Sequence, residues 1–442
     1  MKNYIKLITL IVFSIFLKND IKAQSHVSFF HLGDYVQQST ELSPVYLPKN
    51  KLSIGLPGVS VAVSNQLSYR QIFPQNLTNP NFVDFDMQGM YNAIDGEYNN
   101  FAISQSVNLF NLAFKRKHGS ITFFVNQKVN TNWKMSKNGV LNILNNGLQK
   151  RNNTILLNDQ IDATLYAEAG IGFTQQFLKD KLAVGIKLKY LIGVANGSTQ
   201  ENATASVRVN NDYSWTINTK NAFARSAGID LENIKDYKFN TNNTGIGFDI
   251  GASYEIIPNL IVEAAINDIG AITWKDNVKE YYVNDVTNLE HEGTNLRSDN
   301  DVLDDLEALT ESGKLDTGER KGTSYKTSLA TTSYLSASYS LFKKHQFRAT
   351  MFNNHKLKDD KAVLGLGYNL ALRKTTYGVV GIKNAQGEID YGVNFATKIG
   401  PIQIYAATDN LNKILGKPEE VRNANLKLGL NLVFGYGKKS KD

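Results

Sequence analysis

The sequence predicts an all-β protein: a single transmembrane antiparallel β-barrel of about 14 strands (range about 12–16), with long external loops and one short loop helix near 300–313. Three observations lead there. Apolar side chains recur at every second position in many segments, connections alternate between tight and long, and the chain opens like a secreted protein.

Alternation is clearest from Leu182 through Val184, Ile186, Leu188, Tyr190 and Ile192, with Ala183, Gly185, Lys187 and Lys189 between them. A strand standing between lipid and lumen needs this pattern, because successive side chains point to opposite faces. One such strand would also suit a soluble antiparallel sheet. Repetition favours the barrel: Ile161 to Phe173, Ile246 to Ile256, Leu335 to Leu341, Leu364 to Leu372 and Leu426 to Phe434 all carry it.

Tight turns are expected near Lys117-His118-Gly119, Lys179-Asp180, Pro258-Asn259, Lys343-Lys344, Arg373-Lys374 and Gly400-Pro401. Between them lie long connections, roughly Ile72 to Asn99, Thr131 to Gln160, Ala195 to Asn243, Asp268 to Thr323, Asn354 to Lys361, Ala385 to Glu388 and Asp409 to Asn423. Strict alternation of short and long connections is the habit of outer-membrane barrels. Thr204 to Asn210 and Ser214 to Asn218 read as an excursion within one external loop. Asp299 to Gly313 places Val302, Leu303, Leu306 and Leu309 at helical spacing, within an acidic stretch that suits a solvated loop helix or, alternatively, cation binding. It lacks the glycine and final glutamate of an EF-hand.

Lys2 and Lys6, the apolar run Leu7 to Leu17 and the small-residue site before Gln24 have the layout of a secretory signal peptide, expected to span 1–23. Residues 24–50 follow as an N-terminal segment, either a periplasmic extension or a hatch inside the barrel; 51–436 form the barrel and 437–442 a basic tail. No cysteine is present, so no disulfide or lipoprotein anchor is expected. The hydrophobic fraction of 42% and the negative mean hydropathy do not argue against a barrel, which needs apolar residues on one face only. The net charge of +7 is spread along the chain, so no nucleic-acid partner is expected.

Read literally, the alternation turns Asp162, Glu168, Lys187, Lys189, Asp249, Glu255 and Glu263 into the lumen, as structural ion pairs or as a solute path. Trp133, Trp274, Tyr281 and Tyr282 fall near strand ends, where an amphipathic ring suits a membrane interface or, equally, a cap at the barrel rim. No nucleophile elbow, phosphate loop or zinc-binding histidine pair occurs, so no enzyme, no cofactor and no metal site are expected.

Several segments resemble a known family: His31-Leu32-Gly33-Asp34, Leu42-Ser43-Pro44, Leu52 to Pro57, Gly247-Phe248-Asp249-Ile250-Gly251, Ile266-Asn267-Asp268-Ile269-Gly270, Ile272-Thr273-Trp274, Thr408 to Leu411 and Leu428 to Gly435. The family is an uncharacterised outer-membrane β-barrel family of Bacteroidota-type bacteria, a domain of unknown function. More distantly, the chain looks like long-chain fatty-acid transporter barrels and gliding-associated type nine secretion membrane proteins. The resemblance implies a Gram-negative outer membrane, its lipid as surroundings, and no catalytic residues. Two functions follow as expectations. One is a channel for a small amphipathic or hydrophobic solute; the alternative is a non-transporting structural or assembly partner of other envelope proteins.

Overall fold

Alternate Val, Ile, Leu, Tyr and Phe suit a pleated surface with one buried and one exposed side. The computed structural model of the protein describes residues 26–145, 147–200, 202–228, 241–292, 309–355, 362–384 and 387–436. The signal-peptide span 1–23, the tail 437–442 and most of the 299–313 helix lie outside these residues. Leu309 to Glu311, at the end of that segment, are helical.

Fourteen strands close into one antiparallel barrel. They are β1 (in two arms, Asn50–Gly55 and Gly58–Asn65), β2 (Tyr98–Arg116), β3 (Gly119–Ser136), β4 (Gln160–Phe177), β5 (Leu182–Thr199), β6 (Thr244–Ile257) and β7 (Leu260–Trp274). There follow β8 (Thr332–Leu341), β9 (His345–Asn354), β10 (Val363–Ala371), β11 (Thr375–Lys383), β12 (Ile389–Ile399), β13 (Ile402–Thr408) and β14 (Asn423–Tyr436). The break in β1 falls at Leu56-Pro57, where proline has no N–H to give the ladder. Both arms pair with β2 and with β14, Leu52 opposite Phe434 and Val59 opposite Leu428, and this closes the barrel.

The polarity is inverted relative to a soluble domain. Leu188 and Tyr190 are 54% and 49% exposed, while the intervening Lys189 is 4% exposed. Ile171, Phe173, Ile250, Leu366, Val379 and Leu430 join the outer band; Asn126, Glu168, Asp249, Asn394 and Asn431 are buried inside. An apolar belt around a polar interior is what lipid requires, since backbone groups are satisfied by closure and side chains by their surroundings. Among the described residues no helix is long and apolar enough to cross a membrane.

Every short turn lies at one end of the barrel and every long connection at the other, as the alternation predicts. The strands run further than expected, however. β3 continues to Ser136, β5 to Thr199 and β7 to Trp274, beyond ends placed near Thr131, Ala195 and Asp268. β2 to β5 have 18 or 19 residues, whereas roughly 9–11 suffice to span a bilayer. The excess stands above the membrane as an external wall. There the outer face meets water instead of lipid, so the alternation that marked the strands fades.

Thr204–Val209 and Trp215–Lys220 are indeed an excursion. With Thr154–Leu156 and Val286–His291 they form a separate four-stranded sheet outside the barrel. It has its own core of Leu148, Ile155, Val209, Trp215, Ile217, Leu309 and Leu315. Trp274 corrects an expectation. It is fully buried, its ring lies over Gly193, and its indole N–H donates to Thr327 Oγ1 at 2.8 Å, so it fills the external lumen instead of facing lipid.

Candidate functional site

A barrel of fourteen strands is too wide for its own side chains to fill, so what occupies its lumen decides what can pass. Residues 26–49 occupy it. The segment enters a short helix, α1 (Val27–Phe30), whose first two amides donate to the carboxylate of Asp409 at 3.0 and 2.7 Å. Phe30 stacks on Tyr334 with ring centroids 4.6 Å apart, and Val27, Val45 and Tyr46 pack with Phe352, Val363 and Val380. Phe29, Leu32 and Val36 pack against Ala396, Tyr405 and Ala407.

Polar bonds then tie the segment to seven strands, one of them β2, whose Asn108 donates to Glu41. His26 meets Ser60 of β1 at 3.1 Å, and Thr174 of β4 donates to the Pro44 carbonyl at 2.7 Å. Asn267 of β7 donates to the Leu42 carbonyl at 2.8 Å. On β9, Arg348 Nη1 donates to the Phe30 carbonyl at 2.9 Å and to Tyr46 Oη at 2.6 Å, and Thr350 meets His31 at 3.0 Å. Gln403 of β13 donates to the Tyr35 carbonyl at 2.6 Å. On β14, Asn431 exchanges two amide bonds with Gln38, and Lys427 donates to Glu41 at 2.5 Å. The close approach needs Gly185: a Cβ there would stand 2.1 Å from the Pro44 carbonyl oxygen.

The segment is not itself a spanning strand, and its titrating groups reflect the enclosed site. Burial, helped by nearby Lys427, pushes His26 down to about 3. Burial and Arg348 hold His31 well below its ordinary value, so both rings are neutral. For Glu41, burial opposes ionisation but Lys427 outweighs it, and the carboxyl stays below its usual range.

Beside the segment lies a layer of charges. Lys189 Nζ is 2.6 Å from both Asp249 and Asp268, Lys128 Nζ is 3.1 Å from Asp268 and 3.2 Å from Glu168, and Asn126 donates to Glu168 at 2.8 Å. Asn108 links Asn126 (2.7 Å) to Glu41 (3.3 Å), which in turn holds Lys427. One chain of polar contacts thus crosses the lumen from β14 to β7. Lys187 lies over the Phe124 ring at 4.6 Å.

The structure places Glu168, Lys187, Lys189 and Asp249 in or beside this layer, all buried. Asp162 stands nearer the external end, accepting from Thr164 at 3.2 Å, and Glu255 and Glu263 line a cavity at the opposite mouth. Lys128 and Asp268 escaped the sequence reading for different reasons. Lys128 continues the inward row Thr122, Phe124, Asn126 and was legible there. Asp268 was not: a bulge opposes Asn267 and Asp268 to Asp249 alone, with Asp268 at φ +58°, and turns both side chains inward. Towards the external end the lumen is filled by Tyr166, Leu191, Ile272, Trp274 and Leu329. Among the described residues no group of three His, Asp or Glu is placed to hold a metal ion.

Fold and site together define a class: a membrane-spanning barrel of fourteen strands, filled by its own N-terminal segment and by a crossing layer of charges. The chain belongs to the family of unknown function DUF5723, which it matches over residues 44–409. No curated protein matches it. Among solved structures it is similar to the Pseudomonas putida toluene transporter TodX, with 8% identity over 93% of this chain and 95% of that one and a TM-score of 0.41. The Ralstonia pickettii toluene transporter TbuX shows 10% identity over 91% and 95%, with a TM-score of 0.44. A Pseudomonas aeruginosa FadL homologue shows 10% identity over 95% and 100%, with a TM-score of 0.41.

Proposed function

We propose that the protein is a gated conduit of a Gram-negative outer membrane, seen closed, with residues 24–50 as the hatch and the expected leader at 1–23 as its route of export. The observation that carries this reading is how residues 26–49 are held. They bond to seven strands through polar groups, yet buried polar atoms of Ser28, Gln37 and Ser39 have no protein partner. Each such group costs about 1–3 kcal/mol when left unsatisfied, which weakens docking relative to a fully bonded core. A segment that must leave and return suits such a surface. The charge layer beside it favours a small amphipathic or polar solute over a wholly apolar one, because apolar groups gain nothing from passing fixed ions.

Deleting residues 24–42 is expected to raise permeability of the outer membrane to small antibiotics while the barrel keeps its heat-modifiable migration. Unchanged permeability with an intact barrel would reject the hatch. It would favour the second reading, a non-transporting partner of other envelope proteins. That reading draws on Leu77, Phe82, Val83 and Phe85, which stand exposed on the first external loop, Leu77 completely so.

A further inference from the structure

The outer wall of β9 to β12 carries a groove of about 650 Å³ on the face that meets lipid. Gly381 of β11 makes its floor. Leu366 of β10 and Tyr391 of β12 stand opposite it on either side, and both side chains are exposed. A Cβ on Gly381 would meet no atom closer than 3.9 Å, so the notch between these two large side chains is open. Phe347, Tyr368 and Val379 extend the apolar lining toward the short-turn end.

A short helix roofs the external end. β13 stops at Thr408, opposite Val393, so Ile389 to Gly392 at the upper end of β12 have no strand pairing on that side among the described residues. The helix α2 (Leu411–Gly416) takes that place. Asn412 Oδ1 accepts the Tyr391 N–H at 2.9 Å, and Lys413 binds Glu388 and, at 3.1 Å, Asp390. Leu411 and Leu415, four residues apart on one helix face, join the groove lining, and Leu415 is 76% exposed. The roof is thus fixed by the fold before anything fills the groove.

Position and charge identify the occupant. Leu366 and Val379 belong to the outer apolar band, so the groove is continuous with the lipid-facing belt. β11 has 9 residues, about the length that spans a bilayer, which sets Lys383 at the external interface. Lys383 is exposed one step above Gly381 on the same face, and it makes no ion pair among the described residues. Its neighbours Lys413, Lys417 and Arg422 are all paired with glutamates. A lysine stem lies along apolar surface while its ammonium reaches the headgroup level, so an unpaired cation above an apolar groove matches a phosphate above an acyl chain.

We propose that this groove binds one molecule of the phosphorylated, acylated disaccharide lipid of the outer leaflet, lipid A, with an acyl chain laid over Gly381 beneath α2 and a phosphate at Lys383. This rests on the outer-membrane location proposed above and not on the hatch, and nothing passes through the wall.

The test is native mass spectrometry of the refolded full-length mature barrel in detergent, titrated with lipid A, with its dephosphorylated form and with phosphatidylglycerol. One lipid A is expected to bind saturably, at least about tenfold more tightly than phosphatidylglycerol. Gly381→Phe fills the notch from the outer face and is expected to lose at least about tenfold in affinity, whereas Ile171→Phe on the far wall loses nothing. Lys383→Gln is expected to lose about fivefold, the effect of one lysine at a lipid phosphate, and to match the wild type on the dephosphorylated form. Heat-modifiable migration confirms that each variant is folded. The titration needs no cell, so membrane fractionation tests the location separately. Unsaturable binding of all three lipids, or equal affinity in Gly381→Phe, would mean that bulk lipid alone covers the groove and would overturn the proposal. Barrel dimers that Gly381→Phe separates would put a second copy there and overturn it too.

Discussion

Replacing Lys189 by methionine is expected to destabilise the folded barrel by about 3–5 kcal/mol, seen as a lower urea midpoint for unfolding from detergent. Lys189 is almost wholly buried and neutralises Asp249 and Asp268 at once, both at 2.6 Å. Methionine has similar length and no charge. Its introduction leaves Asp249, which is fully buried, without its ion-pair partner and with only Lys187 opposite it across the strand pair, while Asp268 keeps Lys128 at 3.1 Å. The loss comes from the stranded carboxylate more than from the missing attraction. Adding Asp249→Asn to Lys189→Met is therefore expected to return part of the stability, although the pair of substitutions removes more of the native contact. If the double variant is no more stable than Lys189→Met alone, the ion layer is not what holds this part of the lumen.

Leu188→Lys, one residue away, is expected to cost about 2–4 kcal/mol for the opposite reason. Leu188 is 54% exposed on the outer face, where a lysine would carry its charge into hydrocarbon. Unfolding in the same detergent, or refolding yield into lipid vesicles, reads the loss. A soluble sheet predicts no penalty, since an exposed leucine there faces water. The adjacent positions therefore reverse the usual rule that charge belongs outside, and the two variants test the barrel's orientation independently of its strand count.

The strands that cross the membrane were legible because lipid on one side and a packed lumen on the other force a period of two, as at Leu182 to Ile192. The external walls were less so, for beyond the bilayer both faces can be polar and the period loses its cause. Glu168, Lys189 and Asp249 were legible as inward charges for the same reason that the strands were. Their common partner Asp268 was not, because a single left-handed residue at a bulge shifts the register and no local composition announces it. The contacts of the N-terminal segment were out of reach as well. Its anchors, Asp409, Arg348 and Lys427, lie more than 300 residues away along the chain, and each reads as an ordinary inward or loop polar residue on its own strand. Trp274 shows the limit of reading an aromatic at a strand end: only packing against Gly193 reveals that it faces inward.

The lumen-filling segment is the centre of this account, and one pair of cysteines tests it. The chain has no cysteine of its own, so Val27→Cys with Gly365→Cys introduces a single pair of thiols. A Cβ at Gly365 stands 3.7 Å from Val27 Cβ, close to the ~3.8 Å mean for disulfides. Oxidation of membranes carrying the folded variant is expected to join residues 27 and 365 and to protect both from maleimide until reduction. Two thiols that stay free and react with maleimide in the folded barrel would contradict it, and would place the N-terminal segment outside the lumen.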